Sequence, residues 1–242
     1  DTAWHLPDAV AGNGPLNLRI VPGGAATDYR AADAIVFNDL ADSGTVVISE
    51  GNVSPSSLTL DNSTLAYSFT GTKAITGATG IVKNGSGAAT FANAGNAFTG
   101  GVTVNAGTLT FASAQNIAGG LVVNGGTLVL GSANTLSGNV TLNGSGVLAL
   151  GASGALGAGN ALAFGSGATG RFQLAANDVT VSGLTTHATV GTPTVVNGAA
   201  GTATLTVNVA SGSQTFAGVL ADGSAGILAF AKTGAGTFVL AG

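Results

Sequence analysis

The chain has 242 residues, 41 of them glycine, with no cysteine or methionine, ten acidic against six basic side chains, and a net charge of −4. Lack of cysteine removes disulfide and thiol chemistry, and six scattered basic residues argue against nucleic acid, which needs clustered Lys and Arg. Mean hydropathy is positive, yet Gly, Asn, Ser or Thr breaks every apolar run well short of the ~18 residues of a spanning helix, so the chain reads as not transmembrane, and as too apolar for disorder.

Residues 1–61 differ from the rest. They hold ten of the charged residues, four of the five prolines and the only tryptophan, Trp4. This reads as an irregular N-terminal cap with strands at "AIVF" and "GTVVIS", of the kind that shields the end of a repeat stack. Without methionine, Asp1 is expected to follow a removed leader, and export is the better expectation. Asp28, Asp33, Asp39, Asp42 and Glu50 form the only dense acidic group. A glycan-cleaving site would have to use them. Asp39 and Asp42 could also take calcium, although turn and strand-edge roles are commoner for such residues. His5 and His187 lie far apart without cysteine partners, so zinc is not expected.

Residues 62–174 read as a regular stack. "GGVTVNAGTLTF" from Gly100 returns as "GGLVVNGGTLVL" from Gly119, with seven of twelve positions identical, and again as "GNVTLNGSGVLAL" from Gly138. Phe98, Ile117, Leu136 and Leu156 keep the same register upstream of each phrase. Apolar residues alternate in Val102/Val104 and Leu109/Phe111, which is the period of a strand. Short strands joined by Gly/Asn corners in units of about 19–20 residues predict an all-β, single-stranded β-solenoid. Twelve such coils would span the chain as a rod of roughly 55–60 Å.

The stack explains the missing charges. From Asn84 to Gly170 no Asp, Glu, Lys, Arg or His occurs. In a solenoid each outward residue lies over its own equivalent, so a charge would repel its copies, whereas Asn, Ser and Thr can bond along the stack. Asn105, Asn124 and Asn143 are expected to form such an amide ladder at the corners. "GSGATG" at 165–170 satisfies G-x-G-x-x-G, but no helix pattern or acidic partner follows, so no dinucleotide site is expected. Valine at 122 interrupts the threonines 103 and 141, which argues against a regular ice-organising face. The register loosens over 175–214, where longer loops are expected, and regular coils return over 215–242.

Two stretches resemble a known family. "GIVKNGSGAATFANAGNAFTGGVTVNAGTLTF" (80–111) and "FAGVLADGSAGILAFAKTGAGTFVLAG" (216–242) are similar to the autotransporter-associated β-strand repeat, also called the passenger-associated transport repeat. Lys83, Gly85, Gly87 and Phe91 fit its first half, as do Lys232, Gly234, Gly236 and Leu240. Gly100, Gly101, Val104, Asn105, Ala106, Gly107, Thr108 and Leu109 fit its second half. The resemblance implies a right-handed β-helix displayed outside a bacterial cell, within an adhesin, a secreted passenger or a fibre; from the residues themselves no catalytic residue, cofactor or metal is expected.

Lys232–Gly242 corresponds to Lys83–Asn93, so the usual second half is not present after it. Phe230, Phe238 and Leu240 are therefore candidate self-association residues, with the Trp4 end of another copy as their partner. Head-to-tail contact of that kind builds a filament. The alternatives are a passenger segment of a larger adhesin, meeting a surface glycan or cell-surface ligand through loops such as His187–Gly201, and a β-helix carbohydrate-active enzyme.

Overall fold

A computed structural model describes residues 18–19, 26–27, 29–49, 51–157 and 159–242. Among these are 27 short strands and no helix. Apart from an antiparallel pair, Leu18–Arg19 with Ala26–Thr27, every pairing is parallel. Each strand lies beside its equivalent in the next coil, which is the arrangement of a β-solenoid.

The coils have three faces. The first is an eight-stranded sheet running from Ala34–Asn38 through Gly80–Lys83 and Val102–Val104 to Gly183–Thr186. Ser213–Phe216, paired with Thr237–Leu240, continues beyond it, and Gln214 Oε1 accepts the Leu184 N–H at 3.2 Å. The second face is nine-stranded, from Thr45–Val47 through Ala88–Phe91 and Thr108–Phe111 to Val219–Ala221. The third begins with Ala97–Phe98, Asn116–Ile117 and Thr135–Leu136, and resumes with Val179–Val181, Gly201–Asn208 and Gly226–Thr233.

Alternation decides which side chains enter the core. Val102 and Val104 are buried while Thr103 between them is only half-buried, and Leu121/Val123 and Val140/Leu142 repeat the pattern one rung apart. On the second face Phe69 and Phe91 stack with ring centroids 4.3 Å apart and planes 3° from parallel, and Phe111 continues the column. Such like-on-like columns are what an in-register parallel stack produces, because equivalent residues occupy equivalent space in successive coils.

The period is less uniform than the repeated phrase suggests. Steps of 19 residues hold from Val102 to Leu121 to Val140. They widen to 23 from Ile35 to Leu58 to Ile81, and to 25 from Leu205 to Phe230. In the 23-residue steps the additional residues sit in corners, where a longer loop costs little because only its ends are fixed, whereas the 25-residue step carries them in the long strand Gly201–Asn208. The expectation of twelve coils is corrected accordingly: the longest continuous sheet has nine strands, a stack of about 40 Å at the usual strand spacing. Stacking also starts before residue 62, since Ile35 and Phe37 pair with Leu58 and Leu60 in full register.

Candidate functional site

Three features of the stack carry chemistry: an exposed amide ladder, a set of buried polar clamps, and the rung at the C-terminal end. The ladder runs along the corner after the first face. Asn105 Nδ2 donates to Asn84 Oδ1 at 2.7 Å, Asn124 to Asn105 at 2.8 Å, and Asn143 to Asn124 at 2.8 Å. Each amide therefore points its donor toward the preceding coil and its acceptor toward the next. The row stops at Gly165, because a Cβ there would fall on Asn143 Oδ1. "GSGATG" is thus the corner where the ladder ends, and no helix follows it. Phe98, Ile117, Leu136 and Leu156 all lie in the core, the first three paired in register along the third face.

Sequence reading missed the buried clamps. Asn62 Nδ2 donates to Leu65 O in its own corner and to Ala88 O in the next coil, at 2.6 and 2.9 Å. Asn197 does the same with Gly201 O and Ile227 O, at 2.8 and 3.1 Å. Asn96 and Asn134 accept backbone N–H groups of the preceding coil, from Ile75 at 2.7 Å and Gln115 at 3.0 Å. A signal for part of this was present: Asn96, Gln115 and Asn134 are 19 apart, each two residues before a core residue of the third face. A buried amide left without partners would cost about 1–3 kcal/mol, so these positions fix coil register.

Lys83 is the other missed residue. It is fully buried, in line with Leu60 and Val104. Its Nζ donates to Gly85 O, two residues on, and contacts Asn62 O at 3.4 Å. Desolvation draws its pKa below the ordinary lysine value, while Asp61 and Asp39 act in the opposite sense. Asp39 belongs to the acidic group, but its carboxylate is occupied: it accepts the N–H groups of Ser63, Thr64 and Leu65. Those bonds hold its pKa down at about 2. Asp33 Oδ2 accepts the Arg30 N–H at 2.9 Å. Both carboxylates organise turns, and among the described residues no cluster of three or more His, Asp or Glu groups could hold a metal ion. Asp28, Glu50, His5 and Trp4 lie outside the described residues.

Among the surface depressions of the described residues, one is lined by Gly201, Thr202 and Asp222–Ile227 and another by Leu150, Gly154–Gly157 and Asp178–Thr180. Neither brings together an acid–base pair.

The last rung differs from all the others. Along the third face Leu228, Phe230 and Lys232 continue the inward columns of Ala203, Leu205 and Val207, and on the first face Leu240 continues Phe216. Leu205 and Phe216 are 0% exposed, but Phe230 is 37% and Leu240 53% exposed. Phe230 and Phe238 stack on one another with centroids 5.6 Å apart. Among the described residues nothing lies over this rung. Its apolar interior and the free edges of Gly226–Thr233 and Thr237–Leu240 are presented together.

The rung at Gly80–Phe91 is its counterpart in sequence, but it lies on the first and second faces and is covered. Gly87 N–H donates to Asn62 O at 2.9 Å and Gly236 N–H to Val209 O at 2.8 Å. Lys83 Nζ bonds Gly85 O, and Lys232 Nζ bonds Gly234 O at 2.6 Å. Comparison with known proteins follows the same division. No curated protein and no solved structure matches the chain. The family model for the passenger-associated-transport-repeat matches residues 81–111, 106–130 and 230–242, about a quarter of the chain. Segments of the chain thus match the passenger-associated transport repeat, and Lys83 and Lys232 both lie within the matched residues.

Proposed function

We propose that this chain is a non-catalytic structural unit of a longer β-solenoid rod on the outside of a bacterial cell, lengthened from its Gly226–Leu240 rung. The observation that carries the reading is the half-exposed inward column of Phe230 and Leu240 directly above fully buried Leu205 and Phe216. An apolar rung with free parallel edges is a template for another coil. The charge-free stretch 84–170 supports a scaffold role, since it leaves the regular coils without groups for acid–base catalysis. The transport-repeat match supports export and display.

Two sources of the next coil give two forms of the rod. Another copy, docking its first rung head-to-tail, makes this chain a filament subunit. Further repeats of the same polypeptide make it a passenger segment of a larger autotransporter-type adhesin. The repeat match favours the second form, and so does the first rung, where Ile35, Val46 and Ile48 are already buried. Electron microscopy of the native material tests the reading. Rods much longer than about 40 Å, the length of nine rungs, are expected, and isolated rods of one chain's length would overturn it. Sequencing the gene beyond the codon for Gly242 separates the two forms.

A further inference from the structure

The end of the amide ladder carries a chemistry of its own. Asn-Gly occurs four times among the described residues, at 84–85, 124–125, 143–144 and 197–198. In such a pair the glycine nitrogen can attack the asparagine Cγ, because no side chain shields it and the ring that closes is five-membered. The fold treats the four pairs differently.

Asn197 is locked. Its Nδ2 donates to Gly201 O and Ile227 O, its Oδ1 accepts the Ala176 N–H at 2.7 Å, and the Gly198 N–H donates to Asp222 O at 3.4 Å. Asn124 is held at both ends by the ladder, and the Gly125 N–H donates to Val104 O at 3.4 Å. The Asn84 side chain only accepts, from Asn105, but Gly85 is buried against Asn62 O and its own carbonyl holds the Lys83 ammonium. A buried nitrogen gives a solvent base no access to its proton.

Asn143 differs on each count. Its amide is the last of the row, with Nδ2 bonded to Asn124 and, among the described residues, no donor on Oδ1. Gly144 is exposed, and among the described residues its N–H has no acceptor. The corner is held through carbonyls instead: Asn143 O accepts the Gly146 N–H at 2.9 Å, and Gly144 O the Thr169 N–H at 2.7 Å. Both reacting atoms belong to one dipeptide, so rotation about the Asn143 bonds, at the loss of one exposed hydrogen bond, brings them together.

We propose that Asn143 is a site of spontaneous deamidation, the one of the four pairs that the fold leaves open to it. The Gly144 nitrogen attacks Asn143 Cγ and gives up its proton, the Cγ–Nδ2 bond breaks, and ammonia leaves. Water then opens the cyclic imide at either carbonyl, which gives Asp or isoAsp at position 143. The donor to Asn124 Oδ1 is lost with Nδ2, and a carboxylate enters the stretch 84–170, which otherwise carries no charged side chain. IsoAsp also lengthens the main chain by one atom inside the turn from Asn143 to Gly146.

The test incubates the full folded chain at mildly alkaline pH and follows each Asn-Gly peptide by mass spectrometry, with the same chain unfolded in denaturant as reference. The readouts are the mass gained when NH₂ becomes OH, isoAsp-specific fragments, and ammonia released. Unfolded, the four pairs share one local chemistry and convert at similar rates. Folded, Asn143 keeps a rate within a few-fold of its unfolded value. Asn84, Asn124 and Asn197 slow by about tenfold or more, the effect of one or two net hydrogen bonds, or of a buried nitrogen, that must open first. Asn143 slowed as strongly as Asn124, or Asn84 or Asn124 converting faster than Asn143, overturns the proposal. Asp at position 143 without isoAsp overturns it too, because direct hydrolysis and not attack by Gly144 would then be the route.

Discussion

The amide ladder makes a quantitative prediction at Asn124, which donates to Asn105 and accepts from Asn143, both at 2.8 Å. Asn124→Asp preserves size and shape but replaces the donating NH₂ by an oxygen. The bond from Asn143 survives. The bond to Asn105 is lost and two acceptors now face each other. A net hydrogen bond contributes about 0.5–1.5 kcal/mol, and at this exposed corner the lower end applies. Acceptor repulsion adds a similar amount, so the expected cost at pH 7 is about 1 kcal/mol, roughly fivefold in the opening equilibrium. The sign of the pH dependence follows. A carboxyl facing an acceptor is protonated more readily in the folded chain, so its folded pKa rises above the ordinary ~3.9. The cost is then absent below the unfolded pKa, grows as pH rises, and is complete above the folded pKa. Asn124→Ala loses both bonds and has no titrating group, so its deficit is independent of pH. The assay is amide exchange at Asn124 and Asn143, whose N–H groups donate to Val104 O and Val123 O, measured at pH 3 and pH 7 with correction for intrinsic rates. An Asp variant as protected as wild type at pH 7, or equally deprotected at both pH values, would refute the ladder as a source of stability.

Three further outcomes are expected. Phe91→Ala removes a fully buried ring stacked on Phe69 and packed at a tilt against Phe111 and should cost about 3–5 kcal/mol in a denaturant titration; a loss below about 1 kcal/mol would contradict the packing described. The Asp39 carboxyl should titrate at about 2 by NMR, because three successive N–H groups hold its charged form. Its folded pKa is depressed, so its contribution is present above the ordinary carboxylate pKa and disappears as pH falls toward 2, a dependence that Asp39→Asn abolishes. For buried Lys83 the folded pKa is also depressed, by desolvation. Its charge therefore opposes folding at low pH and ceases to do so as pH rises from the folded to the ordinary lysine value. Wild type should gain stability over that window relative to Lys83→Met, and identical pH profiles for the two would remove the buried charge from the account.

Much of the fold was legible in the sequence because a parallel stack converts translation in space into repetition along the chain. Equivalent residues of successive coils share one environment, so "GGVTVNAGTLTF" recurs at the interval of one turn, and its alternation states which residues face the core. The Asn105, Asn124 and Asn143 series was visible for the same reason, since each position serves the next. Corner and strand lengths were not legible: a longer corner can join the same two strands, and the coils of 23 and 25 residues carry no repeated phrase to measure them by.

Burial of a polar group was hidden as well, because it depends on what lies above and below. Asn62 and Asn197 look like ordinary corner asparagines until the neighbouring coil brings Ala88 O and Ile227 O to them. The two lysine turns are the sharpest case. Lys83-Asn84-Gly85-Ser86-Gly87 and Lys232-Thr233-Gly234-Ala235-Gly236 share the bond from Nζ to the carbonyl two residues on, although only Gly234 of the paired glycines takes positive φ. Local sequence determined that bond. Only the stack decided that one lysine is sealed beneath Val104 and Gly107 while the other is exposed, because desolvation is a property of the coil that covers a residue and not of the segment that contains it.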